Sequence, residues 1–213
     1  MTPLPVLAYK ALRRAWRTLA AQVWRLRTAA LFAGNGVRHH DFRTNGVPYV
    51  NVARGGTMTI GHHFKMNNGI AGNPIGCYQR CTFVVAPGCT LSIGDNVGIS
   101  QSALIAHADI VIEKNVKIGG GNSVYTTDFH SLNPQIRASA EDTLHKACAP
   151  VRICEGAFIG AHCIILKGVT IGARSIVGSG SVVTKSIPSD EIWAGNPARF
   201  IRSLTTEKDN RTI

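Results

Sequence analysis

No stretch of these 213 residues approaches the roughly 18 to 20 uninterrupted apolar positions that a bilayer crossing needs. No signal peptide with a small-residue cleavage site opens the chain. The six cysteines, Cys77, Cys81, Cys89, Cys148, Cys154 and Cys163, form no CxxC pair. These absences point to a reduced, cytoplasmic protein. Acid is missing altogether from residues 1–33, which hold Lys10, Arg13, Arg14, Arg17, Arg25 and Arg27, so only +5 of the net charge of +11 belongs to the other 180 residues. The basic excess is local, so a polyanion-binding surface over the whole domain is not implied. No aromatic stacking platform or recognition motif accompanies it, so nucleic acid is not expected as a partner. A hydrophobic content of 45% suits one domain with a buried core plus an appendage.

What is present is a period of six. Aliphatic residues recur at Ile153, Ile159, Ile165, Ile171, Val177 and Val183, and again at Ile93, Ile99, Ile105 and Val111. The second series slips by one residue and resumes at Ile112, Ile118 and Val124, with a weaker start at Ile60 and Met66. Glycine follows Ile60, Ile93, Ile118, Ile159, Ile171 and Val177, and small residues such as Ala157, Cys163, Ser175 and Ser181 stand two places before the aliphatic position. Period six fits neither a helix nor simple strand alternation. It fits a short strand plus a corner, with the aliphatic side chain inward and glycine or asparagine at the bend. Three such units close a triangular coil of roughly 18 residues, and stacked coils bury a continuous core that needs caps only at its ends.

Further along the chain lie Ile112-Glu113-Lys114-Asn115-Val116-Lys117-Ile118-Gly119 and Tyr125-Thr126-Thr127-Asp128-Phe129-His130. A closing run follows, Val182-Val183-Thr184-Lys185-Ser186-Ile187-Pro188 and then Ala194-Gly195-Asn196-Pro197-Ala198-Arg199. With the hexads, these pieces resemble the hexapeptide-repeat acyltransferases, in the branch of galactoside, maltose and polysaccharide O-acetyltransferases. The resemblance runs from about Ile93 to Arg202, half the chain. It implies an all-β fold, a left-handed parallel β-helix, with an N-terminal amphipathic α-helix and a short C-terminal tail. The handedness comes from the resemblance, because nearly all parallel crossovers turn the other way. The expected layout is a basic helix over 1–33, a linker over 34–50, the β-helix over 51–192 with an active-site loop at about 125–152, and a C-terminal extension over 193–213.

The hexads stop after Val124 and return at Ile153, and excursions of this kind are disproportionately functional. His130 stands at the root of this loop. Transfer of an acetyl group from a thioester needs a base for the proton of the attacking hydroxyl or amine, and imidazole suits that task near neutrality. The family match assigns it to His130. Its other ring nitrogen needs an acceptor, for which Asp128 or a backbone carbonyl would serve. Gly160 is a candidate to present an oxyanion-stabilising N–H. Relatives place an acceptor-binding asparagine one coil before the histidine, where this chain has Ser100-Gln101. By resemblance, Ala161, Ser179 and Gly180 would border the pantetheine arm of acetyl-CoA. Thr184 and Lys185 would lie near its nucleotide end, and Arg199 and Arg202 would meet phosphate or adenine. Trp193 either shields the site or caps the last coil. Family members are trimers with sites between neighbouring subunits.

From Leu12 to Ala30, at 100° per residue, Leu12, Trp16, Leu19, Val23, Leu26 and Ala30 share one side of a helix, and Arg13, Arg14, Arg17 and Arg25 fall opposite. Two readings carry equal weight: peripheral contact with the inner membrane face, which would suit a lipid-linked sugar, and packing of the stripe on the β-helix or a neighbouring subunit.

Sugar nucleotidyltransferases and γ-type carbonic anhydrases share the hexads. The first need a nucleotide-binding domain that residues 1–50 cannot hold, and the second place two zinc-binding histidines five positions apart, a spacing found among none of the eight here. No metal is expected. The reading is an acetyl-CoA-dependent O-acetyltransferase acting on a sugar of a surface polysaccharide. Transfer to an antibiotic or amino sugar and a non-catalytic scaffold are the alternatives.

Overall fold

The computed structural model describes residues 3–204. After one helix, α1 (Leu4–Gly34), the chain winds through three parallel sheets that form the sides of a left-handed parallel β-helix. The first side stacks Arg38–His39, Thr57–Ile60, Thr90–Ile93, Ile110–Ile112, Val151–Ile153 and Thr170–Ile171. The second runs from Phe42–Asn45 through Phe64–Asn67, Gly98–Ser100, Lys117–Ile118, Phe158–Ile159 and Ile176–Val177 to Glu191–Ala194. The third runs from Tyr49–Val52 through Thr82–Val85, Ala103–Ala106, Ser123–Tyr125 and Ile164–Ile165 to Val182–Val183.

Parallel pairing in register turns the repeat into columns. Ile60, Ile93, Ile112, Ile153 and Ile171 stand one above another on the first side. Met66, Ile99, Ile118, Ile159 and Val177 do so on the second. Val50, Phe83, Leu104, Val124, Ile165 and Val183 do so on the third. All of these side chains are buried. Where glycine follows a column residue, as after Ile159 and Ile171, it has a steric cause. At Gly172 a Cβ would lie 2.3 Å from the Ser189 backbone nitrogen, and at Gly160 one would lie 2.6 Å from that of Ser179. Any side chain at these corners collides with the next coil.

Two expectations need correction. Residues 34–50 are not a linker, since the strands Arg38–His39, Phe42–Asn45 and Tyr49–Val52 form the first coil. Ile105 and Val111 are not core positions. Both are half-buried on the outer faces of their strands, with Leu104, Ala106, Ile110 and Ile112 inward. The coil from Ile93 to Ile112 takes 19 residues, spaced unevenly between Ile99, Leu104 and Ile112, so strict counting by six lands one place off.

Two excursions leave the corners. Residues 126–150 leave after the third side and contain a short helix, Pro134–Arg137, and a 3-10 turn, Asp142–Leu144. Residues 68–81 leave between the second and third sides, a loop that the period did not reveal. Its ends are fastened by Asn68, whose Oδ1 accepts from the Cys81 N–H at 2.8 Å.

The core is closed at both ends by aromatic rings. Phe32 of α1 packs against Phe42 and His39 at centroid distances of 5.1 and 5.6 Å, and Asn35 accepts from the Val52 N–H to tie the helix end to the first coil. At the other end Trp193 sits above Val177, and the chain reverses at Gly195–Pro197 into Arg199–Ser203, antiparallel to Glu191–Ala194. Trp193 packs against the core with its Nε1–H on Glu191 at 2.6 Å, so it caps the last coil. The part of the expected C-terminal extension from residue 205 onward lies outside the described residues.

Candidate active site

His130 is reached through a run whose members each fasten the loop root. Thr126 is fully buried, and its Oγ1 accepts from the N–H groups of His107 and Ala108 in the preceding coil at 2.8 and 3.0 Å. Thr127 bridges across to Cys148, where the loop returns. Phe129 adopts φ of +65°, a costly conformation for an aromatic residue, and is held there by edge-on packing against Tyr125 and His107. The strained residue therefore sets the direction in which the chain delivers His130.

Asp128 was expected to hold the imidazole and does not. Its Oδ1 pairs with Lys167 Nζ at 2.6 Å and its N–H donates to Ala147, so it ties both ends of the loop to the corner beneath. The acceptor is Asp142. Its Oδ2 lies 2.6 Å from His130 Nδ1, and its Oδ1 accepts from the Ser131 N–H at 2.7 Å. The His130 hydrogen bond, followed by the Ser131 N–H, holds the Asp142 carboxyl below its ordinary range. An ionised Asp142 fixes the proton on Nδ1 and leaves Nε2 as the basic nitrogen. The two side chains differ in setting: His130 is 64% exposed, Asp142 only 13%. Arg137 completes the frame by donating to the Ser131 carbonyl at 2.9 Å, and Asn133 caps the short helix that carries it. Sequence reasoning missed Asp142; the available signal was that the excursion holds only three acids, Asp128, Glu141 and Asp142.

The residues expected to meet coenzyme A fall on the C-terminal coils. Ala161, Ser179 and Gly180 stack at the corner entering the third side, where Gly180 N–H donates to the Ala161 carbonyl (2.8 Å) and Ala161 N–H to Ser179 Oγ (3.1 Å). Gly195 continues this line of small residues through its N–H on Ser181 Oγ. Thr184 and Lys185 are exposed just beyond the third side, and Arg199 and Arg202 are exposed on the last strand. Gly160 cannot supply an oxyanion donor, because its N–H is spent on the Val177 carbonyl at 2.8 Å.

Gln101 is also not an acceptor-binding residue in this chain. It is fully buried, and its Nε2 donates to the carbonyls of Cys77 (2.7 Å) and Asn73 (3.1 Å), pinning the 68–81 loop. Ser100 is buried beside it and accepts from Asn67 at 3.0 Å.

Within one chain the small-residue line and the His130 loop lie at opposite ends of the third-side strands. Asp142 is the one hydrogen-bond partner of the His130 side chain among the described residues. No group of three or more metal-ligating side chains occurs among the described residues, and no helix there is long and apolar enough to cross a membrane.

The family model described as bacterial transferase hexapeptide (six repeats) matches residues 150–185, the stretch in which successive coils take 18 residues each. A candidate acetyltransferase of Saccharomyces cerevisiae is 34% identical over 141 residues, 62% of this chain and 69% of that protein. The galactoside O-acetyltransferase of Escherichia coli is 32% identical over 127 residues, 56% of this chain and 60% of that protein. The hexapeptide-repeat acetyltransferase VCA0836 of Vibrio cholerae, solved in complex with acetyl coenzyme A, superposes with a TM-score of 0.56 at 27% identity, over 90% of this chain and 88% of that one. With its columns, its corner glycines and the shared two thirds of the yeast relative, the chain belongs to the hexapeptide-repeat acetyltransferases.

Proposed function

We propose that the protein moves an acetyl group from acetyl-CoA to a sugar hydroxyl, with His130 as general base and Asp142 as the residue that positions it. The observation that carries this reading is the pairing of an exposed imidazole with a carboxylate kept ionised beneath it. In the reaction Nε2 takes the proton as the acceptor oxygen attacks the thioester carbonyl carbon. The tetrahedral intermediate then collapses, the C–S bond breaks, and the proton passes to the departing thiolate. The imidazolium formed midway is stabilised by Asp142.

The donor assignment is supported by the Vibrio cholerae neighbour solved with acetyl coenzyme A, and the sugar hydroxyl by the Escherichia coli galactoside enzyme. Ala161, Ser179 and Gly180 would flank the pantetheine arm, their small side chains leaving room for it. Lys185, Arg199 and Arg202 would oppose the phosphates, with Thr184 beside them. Since one chain keeps this line apart from His130, we place each site between neighbouring copies of a trimer. A role in surface polysaccharide synthesis on the cytoplasmic side agrees with six unpaired cysteines.

The test is thiol release from acetyl-CoA against a panel of sugars. His130→Ala should lower kcat by about 10²- to 10⁴-fold with acetyl-CoA affinity nearly unchanged, because a base acts in the transition state. Turnover that survives this change would remove His130 from the mechanism.

A further inference from the structure

The N-terminal helix is fastened along its C-terminal half, where Ala20, Ala21 and Trp24 are half-buried. Thr28 and Phe32 are its buried residues, and Ala29 packs partly against the same core. The rest projects with its apolar side uncovered: Leu12 is 72% exposed, Trp16 69% and Leu26 71%, with Leu19 and Val23 also open. At 100° per residue this stripe lies diametrically opposite the Thr28–Phe32 face. The chain's own body therefore cannot cover it, and the helix can lie flat on a surface with the β-helix on its far side.

Charge decides what that surface is. Lys10, Arg13, Arg14, Arg17, Arg25 and Arg27 occupy the remaining faces, and the first acid in the chain is Asp41, beyond the helix. A second copy of the helix would bring six more cations and no carboxylate, so pairing stripe to stripe leaves every cation without a partner. A neutral protein groove would bury the stripe and leave the cations idle. An anionic bilayer takes both: acyl chains receive the leucines and Trp16, Arg13 and Arg27 flank the stripe at headgroup level, and the other cations lie within the field of the anionic surface.

We propose that residues 4–27 bind in the interface of an anionic phospholipid membrane, with the Leu12–Trp16–Leu19–Val23–Leu26 stripe inserted. Acetyl transfer to a soluble acceptor does not depend on this contact, so the two readings fail separately. The full chain is sedimented with vesicles of phosphatidylcholine alone or mixed with phosphatidylglycerol, at low salt and at about 1 M salt, where the Debye length is about 3 Å. Most of the chain should pellet with the anionic vesicles at low salt and at least tenfold less with the zwitterionic ones. The double variant Trp16→Glu, Leu19→Glu should abolish binding without moving the thermal transition, since both side chains are exposed. The triple variant Arg13→Gln, Arg14→Gln, Arg17→Gln should weaken binding severalfold and flatten its salt dependence. Native protein left in the supernatant, binding indifferent to lipid charge, or binding that survives the double variant each overturns the proposal. A double variant that splits the oligomer while native protein ignores vesicles also overturns it, and identifies the stripe as a seam between copies.

Discussion

At the scale of single residues, the proposed site divides its work between two aspartates, of which the sequence offered only Asp128 as a partner for the imidazole. Asp128 anchors the loop to Lys167, whereas Asp142 holds His130. Asp142→Asn should lower kcat less than His130→Ala does and should alter the pH profile of turnover, while Asp128→Asn should loosen the loop and leave that profile in place. The acid behaviour follows from the direction of the Asp142 shift. Its folded value lies below the ordinary carboxylate value of about 3.9, so its stabilisation is present above that value and is lost as pH falls through the folded one. Acid titration followed by the NMR signal of the Ser131 N–H, which donates to Asp142, should show this transition in the native protein and lose it in Asp142→Asn. Burial likewise pushes the Cys81 thiol up to about 11. Iodoacetamide near neutrality should therefore label exposed Cys148 and spare Cys81 until denaturant is added. The position of His130 at the root of the excursion was legible because the residues before it form one continuous run. Asp142 was not, since its approach depends on how twelve aperiodic residues fold around the Asn133 cap and Arg137.

At the scale of elements, the strands could be read wherever the coil length is constant. From Ile153 to Val183 every column residue fell on the expected position, because each coil there takes 18 residues. Between Ile99 and Ile112 the corner lengths vary, and outward Ile105 mimicked a core residue because an aliphatic neighbour, Leu104, took the inward place. The corner glycines carry their own test. Gly172→Ala forces a Cβ into the Ser189 backbone and should cost about 1–3 kcal/mol in urea unfolding. The 68–81 loop left no periodic trace, since what holds it is two buried amides, Asn68 and Gln101. Gln101→Ala would leave the Cys77 and Asn73 carbonyls without their donor, with an expected loss of about 1–3 kcal/mol and faster proteolytic cleavage within 68–81.

At the scale of the whole molecule, the separation of His130 from the small-residue line makes the proposed site depend on the proposed trimer. Mixing two inactive proteins tests this directly. His130→Ala lacks the base, and Ser179→Trp blocks the line; trimers assembled from both should recover about a quarter of native turnover if sites form across the seam and chains assort randomly. No recovery would place both halves of the site on one chain. The pairing on either side of the 126–150 excursion has another consequence. Ser123 and Val124 meet Ile164 and Ile165 across an intervening 41-residue coil in the same register that Ile164 and Ile165 keep with Val182 and Val183 across 18. The ladder does not sense how long a corner is. Such a scaffold can exchange its reactive loop as a cassette, so acceptor preference is free to diverge between relatives while the stack that aligns the chemistry stays unaltered.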